Sequence, residues 1–182
     1  GEIQWTFNTT GFIVPTISEN GNLVVMRNSS YIKLHVINGT TGERIKDIEV
    51  SEPYLTRPVI CPDNEHFVLS KYQSSNTNGY LAKYSSKIEQ VEPLWEIDTG
   101  YGFAEFDISK VGLIVAKEYW GGIFLIDSIN GKILMNSTNA NYPSNQDMAI
   151  SADGTMFGSI DVFEQIRLFK ANLIEEEEDT TS

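Results

Sequence analysis

A small domain does acid–base, nucleophilic or metal chemistry through histidine, cysteine and carboxylate side chains. This sequence sets few of them in useful company. His35 and His66 are the only histidines. Each sits beside apolar residues in a strand-like stretch, and nothing marks either as part of a Ser-His-Asp arrangement, so both read as sheet-surface residues. Cys61 is the only cysteine, which excludes an intrachain disulfide, and Val59-Ile60-Cys61-Pro62 reads as a buried structural thiol. Asp63, Asp153 and Asp161 are single turn carboxylates without the alternating spacing of a calcium loop. Glu118-Tyr119-Trp120-Gly121-Gly122 has neither the glycine spacing nor the lysine of a phosphate cradle. No catalytic, metal or cofactor residue is assigned, and the chain reads as non-enzymatic.

Recognition chemistry has more to work with. Tyr31, Tyr54, Tyr72, Tyr101, Tyr119, Trp120 and Tyr142 fall between apolar segments, and they include six of the eight tyrosines. Tyrosine and tryptophan favour interfaces because they offer large, rigid area with a polar tip. Whether these seven side chains share a surface depends on the elements that carry them.

Those elements are short strands. Leu23-Val24-Val25-Met26, Phe67-Val68-Leu69, Ile123-Phe124-Leu125-Ile126 and Ile166-Arg167-Leu168-Phe169 are β-branched or aromatic and bounded by Asn, Gly, Asp, Ser and Pro. No window shows a helical apolar period. Four segments align: Pro15-Thr16-Ile17-Ser18, Pro58-Val59-Ile60-Cys61, Phe106-Asp107-Ile108-Ser109 and Met148-Ala149-Ile150-Ser151. Each has Ile followed by a small residue, then a turn, then a second apolar strand. Their isoleucines are 43, 48 and 42 residues apart. A four-stranded antiparallel meander repeated at that period is a propeller blade, whereas a sandwich gives no reason for the period. The expected fold is therefore all-β, a β-propeller or propeller fragment of about four blades. Gln4-Trp5-Thr6-Phe7-Asn8-Thr9 matches Leu94-Trp95-Glu96-Ile97-Asp98-Thr99. The match makes residues 1–10 a stray outer strand ahead of blades at about 11–52, 53–100, 101–140 and 141–174, with Trp5 and Trp95 largely buried.

Val36-Ile37-Asn38-Gly39-Thr40-Thr41-Gly42-Glu43 is echoed by Leu125-Ile126-Asp127-Ser128-Ile129-Asn130-Gly131-Lys132. It resembles the pyrroloquinoline-quinone-type propeller repeat, in which a strand ends in Asp and a loop leads through Gly-Lys or Gly-Glu to a strand with Trp; Trp5 and Trp95 resemble that tryptophan. Met148 to Phe169 is equally similar to a WD-type repeat. The resemblance implies blades over nearly the whole chain to Lys170, and it implies no activity. Quinone enzymes of that kind hold a calcium-bound quinone, often beside a disulfide of adjacent cysteines, in a ring of around eight blades. One cysteine and about four blades depart from that pattern, so no cofactor is expected.

In a propeller the loops joining strands two to three, and strand four to the next blade, lie on one face. That face would carry Tyr31, Tyr54, Tyr72, Tyr101, Tyr119, Trp120 and Tyr142, either as a binding surface or as caps on the core. A net charge of −12, with 13 scattered basic residues, argues against nucleic acid and anionic membranes and suits a protein partner with a basic or apolar surface. No apolar run approaches the length of a bilayer span. Asn8, Asn28, Asn38 and Asn136 begin glycosylation sequons, a mild excess that leans towards export. Residues 175–182 form an acidic tail expected to be solvated and dispensable. The expectation is a protein-binding or scaffold propeller; the alternative is an exported quinoprotein-like fragment or a carbohydrate-binding propeller. Four-bladed rings are uncommon. Either the first segment completes the last blade, or the chain is part of a larger ring, or two copies join, and an open end exposes a strand edge prone to self-association.

Overall fold

The computed structural model describes residues 1–9, 14–28, 33–49, 54–72, 79–87, 89–98, 102–118, 122–137, 147–160 and 166–171. Every described element is a strand, and the strands form four antiparallel sheets in chain order, the blades of a propeller. Blade 1 holds β1 (Val14–Ile17), β2 (Leu23–Arg27), β3 (Lys33–Asn38) and β4 (Arg44–Glu49). Blade 2 holds β5 (Tyr54–Leu55), β6 (Val59–Ile60), β7 (His66–Tyr72), β8 (Gly79–Ser85) and β9 (Trp95–Asp98). Blade 3 holds β10 (Phe103–Ile108), β11 (Leu113–Glu118), β12 (Ile123–Asp127) and β13 (Ile133–Ser137). Blade 4 has three strands, β14 (Met148–Ile150), β15 (Met156–Ile160) and β16 (Ile166–Lys170).

The repeat is written into the first hairpin of each blade. Ser18, Cys61, Ser109 and Ser151 each close it with a backbone N–H donated to Leu23, His66, Leu113 and Met156. The hairpin then needs a positive φ, which Gly21, Gly112 and Gly154 supply at 74–84° and Asn64 at 59°. In three blades the serine Oγ also accepts the N–H of the strand residue opposite. Cys61 has no hydroxyl, and Asp63 Oδ1 takes the His66 N–H instead.

The core lies between the blades, because both faces of a middle blade are covered. Leu23, Val25, Leu34, Val36 and Ile48 of blade 1 pack on Phe67, Leu69, Ala82 and Tyr84 of blade 2. The opposite face of blade 2, with Val68 and Leu81, packs on Phe103, Ile114, Ala116 and Phe124 of blade 3. Leu113, Val115, Ile123 and Leu125 then pack on Met148 and Phe157 of blade 4. Polar bonds cross the seams as well. The Ile150 N–H donates to Asp107 Oδ2 at 3.1 Å, and Lys46 Nζ reaches the carbonyl oxygens of Lys87, at 2.6 Å, and Gln90. Burial lowers the pKa of Lys46, and Glu89 opposes that shift.

Three expectations are corrected. Residues 1–9 form no strand, so the stray outer strand is absent as such, and Trp5 and Phe7 lie against Val24, Met26 and Ile37 of blade 1. Trp5 and Trp95 are half-buried rather than largely buried, because each covers the rim of a neighbouring turn. The first strand of blade 2 is split into β5 and β6, since Pro58 has no N–H for the ladder and Thr56 Oγ1 accepts the Ser70 N–H at 2.9 Å. The tail at 175–182 lies outside the described residues.

Candidate functional site

Of the aromatic face, Tyr54 and Tyr72 are placed by their backbones, directly opposite each other in the β5–β7 pair. Tyr31, Tyr101, Tyr119, Trp120 and Tyr142 lie outside the described residues.

At the same end of the blades the strands carry charges that sequence reasoning missed. Arg27 ends β2, Arg57 precedes β6, Glu105 lies in β10, Lys117 lies near the end of β11, and Asp147 precedes β14. All four blades contribute. The pKa of Glu105 is raised, first by lost hydration and then by Asp147; Arg57, Lys117 and Arg27 pull it back. That of Lys117, fully buried, is lowered by desolvation against the opposing pull of Glu105. Glu118 is buried beside it, with its carboxylate so close to Gly122 that a side chain there would collide with Oε2 at 2.6 Å. Glu105 thus lies within electrostatic reach of Asp147, Arg57, Lys117 and Arg27, charges of both signs at one end of the blades. The one signal in the sequence is that Arg27 and Lys117 occupy the same position of the repeat, the last core-facing register of the second strand.

The other chemical candidates are structural. His35 is buried rather than on the sheet surface, because Phe7 covers it at 5.8 Å and Asp47 Oδ1 lies 2.7 Å from Nδ1. His66 Nδ1 contacts Asp63 Oδ2 at 2.9 Å within its own hairpin. Asp153 has its pKa lowered by hydrogen bonds from Ser151 and then Thr155, all inside one turn. Cys61 is buried, and desolvation pushes its thiol up to about 12. It should resist a thiol-specific reagent at neutral pH while the protein is folded and react promptly once denaturant is added. Prompt labelling of the folded protein would show that the blade 2–3 seam opens. Among the described residues no group of three or more His, Cys, Asp and Glu is arranged to hold a metal ion. None of the described residues forms a helix long and apolar enough to cross a membrane.

No protein-family model matches the chain, and no curated protein matches it. Solved structures do. The crystal structure of the computationally designed Ika4 protein aligns with a TM-score of 0.71 at 14% identity, over 93% of this chain and 98% of that one. The yeast propeller KlHsv2, with loop 6CD replaced by a Gly-Ser linker, aligns with a TM-score of 0.65 at 14% identity. That match covers 86% of this chain and 48% of KlHsv2, so the four blades correspond to about half of that propeller.

Proposed function

We propose that this propeller module binds a protein partner through the face formed by the loops between strands two and three and between successive blades. The reading rests on Arg27, Arg57, Lys117 and Asp147, which together with Glu105 come from four blades, lying within electrostatic reach of Glu105. A rigid β frame holding loop-borne groups is the usual setting for recognition. Glu105, which loses hydration and has Asp147 within electrostatic reach, favours a cationic complementary group. A guanidinium or ammonium placed between them relieves their repulsion, while Arg57 and Arg27 keep the rim from attracting cations indiscriminately. The partner segment is therefore basic.

Selection from a displayed-peptide library tests this. Arg- or Lys-bearing peptides should be enriched. Glu105→Gln should weaken the selected peptides about tenfold, the loss of one charge-assisted contact worth about 1.4 kcal/mol. Lys110→Gln, on the hairpin side, should leave them unchanged. A bound cation lowers the pKa of Glu105, so affinity should rise with pH through the range just above the ordinary glutamate value. A library without enriched basic peptides, or ligands indifferent to Glu105, would overturn the reading.

A further inference from the structure

The two ends of the blade array are complementary. Register fixes which strand positions point to the following blade. Val25 opposes Val36, Val115 opposes Leu125 and Gly158 opposes Leu168, so Val36, Leu125 and Leu168 are equivalent, as are Leu34, Ile123 and Ile166 two residues before them. In blades 1 and 3 these side chains are covered by the next blade and are at most 2% exposed. In blade 4, Ile166 is 76% and Leu168 70% exposed. Beside them Met156, Ala149 and Gly158 line an open apolar recess of about 440 Å³. Among the described residues blade 4 has three strands, and nothing pairs with the outer edge of β16.

Residues 4–9 match what the described part of blade 4 leaves open. Trp95, on the fourth strand of blade 2, donates Nε1–H to Ser128 O at 3.1 Å, and its ring lies against Gly131 in the turn of the following blade. Trp5 donates to Gly39 O at 2.7 Å, and its ring lies against Gly42. Asn38-Gly39 and Gly42 occupy the same turn positions as Asp127-Ser128 and Gly131, and Gly42 and Gly131 share a φ near 75°. Residues 4–9 therefore stand where the fourth strand of a blade preceding blade 1 belongs. They cap the face made by Val24, Met26 and Ile37, but pair with no strand.

We infer that a second copy of this chain fills both gaps. Blade 4 of one copy docks on blade 1 of the other, and residues 4–9 of the second add to the edge of β16 as its missing fourth strand. The contact repeats the seam that each chain already forms three times, between apolar faces of the same kind. It is head-to-tail, and two such arcs related by a two-fold give eight blades; the alignment of this chain with 48% of the KlHsv2 propeller suits an arc of that extent.

Sedimentation equilibrium of the 182-residue chain at micromolar concentration should give twice the 20.4 kDa chain mass. Ile166→Glu/Leu168→Glu should halve it without changing the β-sheet circular dichroism signal, since both side chains already face solvent in the single chain. Trp5→Ala/Phe7→Ser should also halve it. Mixing the two monomeric variants leaves one seam intact and should restore a dimer, which a symmetric face-to-face contact could not do. A monomeric wild-type chain, open-ended polymers, or a mixture that stays monomeric would each overturn the inference. The monomer would assign the open face to another occupant.

Discussion

Replacing Phe103 with alanine will destabilise the protein by about 3–5 kcal/mol, the range for removing a large aromatic side chain from a packed core. Phe103 is fully buried at the start of β10 and meets Phe124 edge-on, with ring centroids 5.5 Å apart and planes at 78°. It belongs to the cluster joining blades 2 and 3, and its carbonyl oxygen accepts the Ser70 hydroxyl across that seam at 3.0 Å. The side chains around it sit on strands whose ladders hold them apart, so the space cannot collapse. Chemical denaturation monitored by circular dichroism should show the midpoint falling with little change in slope. A midpoint within error of wild type would mean that the blade 2–3 seam is not packed as described.

The second large effect lies at Trp95. Alanine there should cost about 3 kcal/mol, the low end of the range, because the ring is half-exposed. Two losses combine: the contact with Gly131 and the Nε1–H bond to Ser128 O. Trp95→Phe separates them, since phenylalanine keeps most of the contact and loses only the donor, and should cost about 1 kcal/mol. Trp5→Ala should cost less than Trp95→Ala when the protein is dilute, because the segment bearing Trp5 has no strand ladder to lose. Equal effects of the two alanines would contradict the difference between a paired β9 and an unpaired residue 4–9 segment.

The blade repeat was legible in the sequence because each first hairpin has its own local chemistry. A small residue closes the turn and an Asn or Gly takes the positive φ, so both are visible without knowledge of the packing. The tryptophan match was legible for the same reason, and it correctly linked residue 5 to residue 95. It failed on secondary structure because a strand needs a partner, and no described strand pairs with residues 4–9. The break between β5 and β6 could have been read from Pro58. The burial of His35 could not, since Phe7, which covers it, lies 28 positions away in a segment without regular structure. The charged group around Glu105 was illegible because Arg27, Arg57, Glu105 and Asp147 are scattered along the chain, and only the packing of successive blades brings them within reach of one another. The aromatic face rests on residues of which just two, Tyr54 and Tyr72, are placed.

The hydrophobic clusters have a consequence for what counts as a folding unit. Each of the three large ones is assembled from two neighbouring blades, so no blade encloses a core of its own. Cutting the chain between residues 98 and 102 would strip Val68 and Leu81 from Phe103 and Phe124 and leave two greasy halves rather than two domains. The array behaves as a one-dimensional chain of coupled units whose free energy is counted by couplings, not by members. In a single chain the end blades, each joined to one described neighbour, are the first to open, and cohesion grows with the number of links.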